Sequence, residues 1–337
     1  MSTVEDQPQA PPSWEERYAG ATRDAYRRTL LELAREDRRI LCLDSDMGGL
    51  EETFQSELPE QYVNLGIAEA NMMTVAAGLA SAGKIPFVNT MASFATTRAG
   101  EQLKLDVANN GLPVKVVVTH AGVSAGHFGP SHYALEDVAI TRALPNMTVI
   151  CPADVVETVN VVRAAVELPG PVYVRLGRSE TGLVYHEPYP FRVGRAVPLR
   201  DGRDVTIASS GAYPALMALE AHEMLLAKGV QARVLNVHTI KPIDREALLA
   251  AAAETCGIVT VEDHSVIGGL GSAVAEVVAE ECPCRVLRVG VPDGIGDRIG
   301  SQRELLERGG VTPARIVSAA LSLCESAAAT RIGRPGR

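Results

Sequence analysis

Short β-branched runs alternate along the chain with stretches of helical period. Strands are predicted at Ile40–Leu43, Ile85–Val88, Val114–Thr119, Met147–Ile150 and Val172–Arg175. Between them, Glu69–Ser81 sets Met72, Val75, Ala76 and Leu79 on one face of a helix. Asp154–Glu167 reads as another helix, opened by Pro152 with Asp154 placed as its cap. Over residues 186–200 the pattern breaks. His186-Glu187-Pro188-Tyr189-Pro190 and Asp201-Gly202 bracket a segment without helical period, read as an inter-domain linker. A second alternating block follows. Its strands are Val205–Ala208, Ala232–Asn236, Gly257–Val261 and Arg285–Val289, and its helices Tyr213–Ala227, Asp244–Ala253 and Leu270–Glu281. Such alternation predicts an α/β fold of two mainly parallel-sheet domains, at 15–185 and 201–325, with disordered tails at 1–14 and 326–337.

Length agrees with two domains, since 337 residues hold about two at roughly 150 residues each. The net charge of −9 offers no basic excess to neutralise phosphates, which argues against nucleic-acid binding. No run approaches the ~20 apolar residues of a membrane helix, and the start has no secretory pattern. A cytoplasmic protein with no membrane contact is expected. The six cysteines (Cys42, Cys151, Cys256, Cys282, Cys284 and Cys324) show no paired CxxC spacing, so reduced, mostly buried thiols are expected rather than a zinc site.

Fold alone does not give function. Four stretches could carry chemistry. In Asn64-Leu65-Gly66-Ile67-Ala68-Glu69-Ala70-Asn71, a carboxylate stands in the first turn of a helix, where the helix dipole favours it. Alone, that is an ordinary helix start. Thr119–His132 follows a clear strand and holds three of the chain's seven histidines, His120, His127 and His132, among several glycines. Loops beyond the carboxyl ends of parallel strands are where open α/β sheets place ligands. The histidine spacing matches no common metal motif, which favours catalysis over metal binding. Arg175 and Arg178 follow another strand, where arginines either grip a phosphate or carboxylate or form an inter-domain salt bridge. Glu262–Ser272 joins a strand to a helix through Gly268-Gly269 and Gly271, more suited to tight packing than to a phosphate cradle.

With these residues the chain resembles transketolases, most of all the stand-alone C-terminal subunit of enzymes split over two chains. The resemblance runs from about Thr22 to about Leu323. It rests on Gly66-Ile67-Ala68-Glu69, Phe94 within Asn89–Arg98, Gly129-Pro130-Ser131-His132, Ala134-Leu135-Glu136-Asp137, His238–Asp244 and Glu262–Gly271. It implies a thiamine diphosphate-binding pyrimidine domain followed by a transketolase C-terminal-like domain. It implies transfer of a two-carbon ketol unit from a ketose to an aldehyde. Glu69 would hydrogen-bond the aminopyrimidine of thiamine diphosphate and favour its imino tautomer, Phe94 would stack on that ring, and Asp46 would lie near the cofactor. His132 would move protons on the substrate. Arg23, His120 and Arg178 would bind a terminal phosphate.

The family holds diphosphate and a divalent cation such as Mg2+ through a GDG motif followed by Asn. No GDG occurs here, and Pro292-Asp293-Gly294 and Gly296-Asp297-Arg298 do not qualify. The metal ligands are therefore expected on a partner, an N-terminal diphosphate-binding subunit, in a heterotetramer with two copies of each chain. Phe128 replaces an aspartate that contacts a substrate hydroxyl, Leu50 a phosphate-binding serine, and Thr97 an aromatic neighbour of Phe94. Together they imply a specialised substrate with fewer hydroxyls. The competing readings are a 2-oxoacid dehydrogenase β subunit or acyloin-forming enzyme, and a non-catalytic structural or regulatory subunit.

Overall fold

A computed structural model describes residues 20–294 and 298–332, so the tail expected at 1–14 lies outside it. In the first domain, α1 (Thr22–Glu36) leads to β1 (Ile40–Asp44), β2 (Tyr62–Asn64), α2 (Glu69–Ser81), β3 (Ile85–Met91) and β4 (Lys115–Thr119). Then come α3 (Asp137–Ala143), β5 (Thr148–Ile150), α4 (Val155–Glu167) and β6 (Val172–Arg175). The second domain begins with β7 (Val197–Arg200), β8 (Val205–Ser210), α5 (Ala212–Leu226), β9 (Ala232–Asn236), β10 (Thr239–Lys241) and α6 (Arg245–Glu254). It ends with β11 (Ile258–Ser265), α7 (Leu270–Glu281), β12 (Val286–Val291), α8 (Gln302–Arg308) and α9 (Pro313–Ile332). Asp154 caps α4 as its sequence position predicts, accepting from the Glu157 amide at 2.8 Å.

The first sheet has the order β10-β5-β6-β4-β3-β1-β2, and every pair is parallel except β10 with β5. From β1 the chain goes outward to β2 and then returns to β3 on the other side, so β1 and β3 flank a topological switch point. The crevice above their carboxyl ends is where such sheets bind ligands. β1 and β4 are buried along their whole length, as strands covered by helices on both faces must be. Even Lys115 is buried. Its Nζ donates to the carbonyls of Leu168 and Gly170, and burial pushes its pKa down to about 7. The second sheet has the order β12-β11-β8-β9-β7, with β7 as an antiparallel edge.

Two boundaries differ from the sequence reading. The linker at 186–200 ends early, because β7 already belongs to the second sheet. The segment before it is strapped down. The Tyr185 and Tyr189 hydroxyls donate to the buried Glu157, and the Phe191 ring lies 4.6 Å from that of His238. Alternating polar and aromatic residues gave it no helical period, but its hydroxyls and rings are what hold it against both domains. The tail at 326–337 is also misplaced at its start: α9 continues to Ile332, and only 333–337 lie outside the described residues.

The domains share more than a connection. One apolar cluster runs from Met72, Val88 and Val116 in the first domain to Leu235, Ala251 and Val274 in the second. Arg175, at the end of β6, is buried between carboxylates of both domains. Its Nε donates to Asp137 Oδ2 at 2.8 Å and its Nη1 to Asp263 Oδ1 at 2.5 Å. The Tyr173 hydroxyl adds a 2.8 Å bond to Asp137. No helix among the described residues is long and apolar enough to cross a membrane.

Candidate functional site

Loops leaving the carboxyl ends of the first sheet bring most of the singled-out residues together. Glu69 opens α2, just beyond β2, and its carboxylate is only 2 % exposed. Its partner is Arg98, which the sequence reading missed. Arg98 Nη1 donates to both carboxylate oxygens at 3.0 Å, from a side chain 49 % exposed. Phe94 and Arg98 begin and end a π-helical turn just after β3, closed by the Ala99 amide donating to the Phe94 carbonyl at 3.0 Å. Such wide turns recur at functional sites. This one lays the Arg98 guanidinium over the Phe94 ring, 4.3 Å from its centroid.

From Phe94 a line of rings continues. The centroid distance is 5.2 Å from Phe94 to His132, 5.2 Å from His132 to Phe128 and 6.1 Å from Phe128 to His120. The loop carrying these three residues is fixed at several points. His120 itself sits at φ +61°, a left-handed conformation that non-glycine residues adopt rarely and mostly where the surroundings impose it. Gly122 cannot be replaced, since a Cβ there would stand 2.5 Å from the Asp263 carbonyl oxygen of the second domain. Further on, the Tyr133 hydroxyl donates to the Gly126 carbonyl at 3.1 Å. The Ser131 hydroxyl lies 3.0 Å from His132 Nδ1 and restrains that ring.

The far end of the line is cationic. Burial, with the nearby charges of Arg178 and Arg23, pushes His120 down to about 4, so it is neutral at physiological pH. Its Nδ1 is 2.8 Å from Thr119 Oγ1. Arg178 lies over the Phe128 ring at 5.9 Å and has no carboxylate partner among the described residues. Arg23, in the first turn of α1, has a buried Nε without a hydrogen-bond partner, 3.6 Å from Asp24 Oδ1. Phe128 is 46 % exposed and carries His127 against its ring at 4.2 Å, a second contact the sequence reading did not anticipate. Arranged in this order are a buried carboxylate, an aromatic face, a restrained imidazole, an apolar wall and two arginines. The set can hold a planar base at one end and an anion at the other, with a proton carrier between them.

Other singled-out residues lie elsewhere. Asp46 is exposed in the turn after β1, at φ +62°, and makes no hydrogen bond or ion pair among the described residues. Leu50 is buried in the core with Tyr26 and Phe54 and, with Met47, Asn89 and Thr119, lines a small cavity at the carboxyl ends of the strands, to which it offers only carbon. Arg175 forms the inter-domain ion pair and is not available to a ligand. Thr97 is exposed, with its hydroxyl on the Ser93 carbonyl at 2.6 Å, and supplies no ring beside Phe94. The Glu262–Ser272 turn is a packing device. Glu262 fills it, accepting from the Leu270 and Gly271 amides at 2.7 and 2.9 Å. A Cβ on Gly269 would meet Glu262 Oε2 at 1.9 Å. Cys42 and Cys151 are buried and the other four thiols half-buried, fewer buried than expected. No group of three His, Cys, Asp or Glu among the described residues is arranged to hold a metal ion.

Residues 19–183 match the transketolase pyrimidine binding domain and residues 194–316 the transketolase C-terminal domain. The chain is 44% identical over 305 residues to the 6-deoxy-6-sulfo-D-fructose transketolase subunit of Clostridium sp. (strain MSTE9), covering 90% of this chain and 94% of that one. To one of the subunits of the apulose-4-phosphate transketolase of Phocaeicola vulgatus it is 42% identical over 276 residues, covering 81% and 88%. Among solved structures, a split gene transketolase described as an inactive beta4 tetramer superposes with a TM-score of 0.82 at 45% identity, covering 90% of this chain and 98% of that chain.

Proposed function

The chain belongs to the transketolase family, as a subunit of a transketolase-like transferase, and we propose that its first sheet positions thiamine diphosphate through Glu69 and Phe94 for an acceptor with fewer hydroxyls than the usual sugar phosphates. The observation that carries this reading is the unbroken run Glu69–Arg98–Phe94–His132–Phe128–Arg178 across the carboxyl end of the first sheet. Thiamine diphosphate dependence comes with the family, and the bound cofactor supplies the carbon nucleophile and electron sink for making and breaking a bond beside a carbonyl. The residues suit it. A buried carboxylate stands next to an aromatic face, and what lies on both in this chain is a planar cation, the Arg98 guanidinium.

In this reading Glu69 shares a proton with the ring nitrogen that faces it, and Phe94 fixes the ring plane. His132, its Nδ1 restrained by Ser131, holds or passes a proton at a substrate hydroxyl. Arg23 and Arg178 take the anionic end of the substrate beside the neutral His120. Phe128 sets carbon against the segment between. A hydroxyl there would lose its water without gaining a partner, at a cost of ~1–3 kcal/mol. Asp46 keeps a place near the cofactor only in the assembled enzyme.

The diphosphate and its divalent cation belong, on this reading, to a partner chain bearing GDG and Asn, in a cytoplasmic heterotetramer with two copies of each. Support comes from the split gene structure and from relatives named as transketolase subunits with uncommon substrates, 6-deoxy-6-sulfo-D-fructose and apulose 4-phosphate.

The test is reconstitution with the partner chain, thiamine diphosphate and Mg2+. Ketose donors with hydroxylated and with deoxygenated aldehydes are expected to give two-carbon transfer, best with the latter. Turnover of pyruvate with an electron acceptor instead would move the assignment to the 2-oxoacid dehydrogenase reading. Phe128→Asp is expected to shift preference at least tenfold toward ordinary aldose phosphates, and an unchanged substrate profile would remove Phe128 from the specificity argument.

A further inference from the structure

The pairing of Glu69 is unusual for a carboxylate so deeply buried. A buried carboxylate left without a compensating partner is costly. Here the compensation comes from a side chain half in solvent. Arg98 makes two kinds of contact at once: Nη1 on both Glu69 oxygens, and the guanidinium plane on the Phe94 face. Resting on the reading above, these are the same two contacts that a flat, protonatable pyrimidine would make, a hydrogen bond to the carboxylate and a stack on the ring. Both cannot be made by two occupants together. Among the described residues the Arg98 side chain makes no other hydrogen bond or ion pair, and its second contact is the apolar ring it covers.

We propose that Arg98 is a placeholder for the cofactor's pyrimidine: in the unloaded chain it neutralises Glu69 and covers Phe94, and it must swing out into solvent for the cofactor to enter. Its stem is long enough to do so, and its exposure means that little packing is lost. The consequence is competition. Apparent cofactor affinity is the intrinsic affinity reduced by the fraction of molecules in which Arg98 has already left. Arg98 is thus a residue that sets cofactor affinity and protects the empty site.

Two variants test this in the assembled pair. In Arg98→Met the stem remains but charge and hydrogen bonds go; in Arg98→Lys the charge remains without the planar cap. Thiamine diphosphate binding, measured by calorimetry at fixed Mg2+, is expected to tighten about tenfold in Arg98→Met and less in Arg98→Lys, as for a competitor present most of the time. Melting of the unloaded chain is expected to fall in Arg98→Met, because Glu69 is left unpaired, and the gap is expected to close at saturating cofactor. Weaker binding in Arg98→Met would overturn the proposal, making Arg98 a contact of the loaded state; unchanged binding would overturn it too. If the wild-type pair binds no thiamine diphosphate, the reading of the whole site fails, and the placeholder with it. Binding by wild type with no gain in the variant rejects the placeholder alone.

Discussion

Glu69 in the first domain and Glu262 in the second are both buried carboxylates near the start of a helix, yet they are held in opposite ways. Glu262 accepts from two backbone amides at the head of α7, on a turn whose glycines close tightly around it. Its partners are fixed backbone groups that cannot swing away, and removing it would leave both amides without a partner. Glu69 is held by a half-exposed arginine that can leave. The two domains repeat one architecture, and the same residue type is a structural plug in one and an exchangeable contact in the other. The difference lies in the mobility of the partner, since both carboxylates are equally out of water.

Three measurements would break or sharpen that contrast. The largest effect is expected from Glu69→Gln. Turnover of the reconstituted pair should fall by about a thousandfold, within the range for losing a positioned proton-transfer group, while circular dichroism stays that of the native chain. Activity within tenfold of wild type would mean that Glu69 is a plug like its counterpart. Next comes Glu262→Ala, which orphans the Leu270 and Gly271 amides and opens a small void. Urea unfolding should show a loss of ~2–4 kcal/mol, with cofactor affinity of the folded pair unchanged. A change in cofactor affinity instead would link the second turn to the site.

The smallest effect is in pH. Burial raises Glu262 from an ordinary 4.5 to about 7. Between those values the unfolded chain gives up the proton before the folded one does, so Glu262 lowers stability as pH rises through that window. Below about 4.5 the contribution is at its most favourable, and above about 7 it is lost. Glu262→Gln should therefore flatten the stability profile between pH 4.5 and 7 relative to wild type; parallel profiles would mean that folding leaves the proton affinity of Glu262 unchanged.

Much of this was legible from the order of residues. The buried parallel strands read as unbroken apolar runs, and α2 begins at the predicted Glu69 because its apolar stripe and its preceding Gly66 are local signals. His132 and Arg178 already stood out in loops after strands, but resemblance to a family was needed to add Phe94 and Arg23 and to join them all to Glu69. Arg98 was missed because its ion-pair partner, Glu69, lies 29 residues back in the chain; four residues after Phe94 it stands at a spacing where helical side chains meet, but that contact alone marks no site. Arg175 could be read either way. Its two carboxylates lie 38 and 88 residues away, a pairing that only the folded chain reveals. The anchoring of the segment read as a linker at 186–200 was hidden for a similar reason: Glu157 and His238, which hold Tyr189 and Phe191, are remote in sequence.

The three residues of β10 have a mechanical meaning. Although β10 belongs to the second domain by sequence, it closes the free border of the first sheet beside β5. Cut between the domains, the first half would be left with the bare backbone amides and carbonyls of β5, a template for pairing with its own copies. The two halves are therefore expected to melt as one unit and to clump when expressed apart, which makes this chain, though only part of an enzyme, indivisible in its own right.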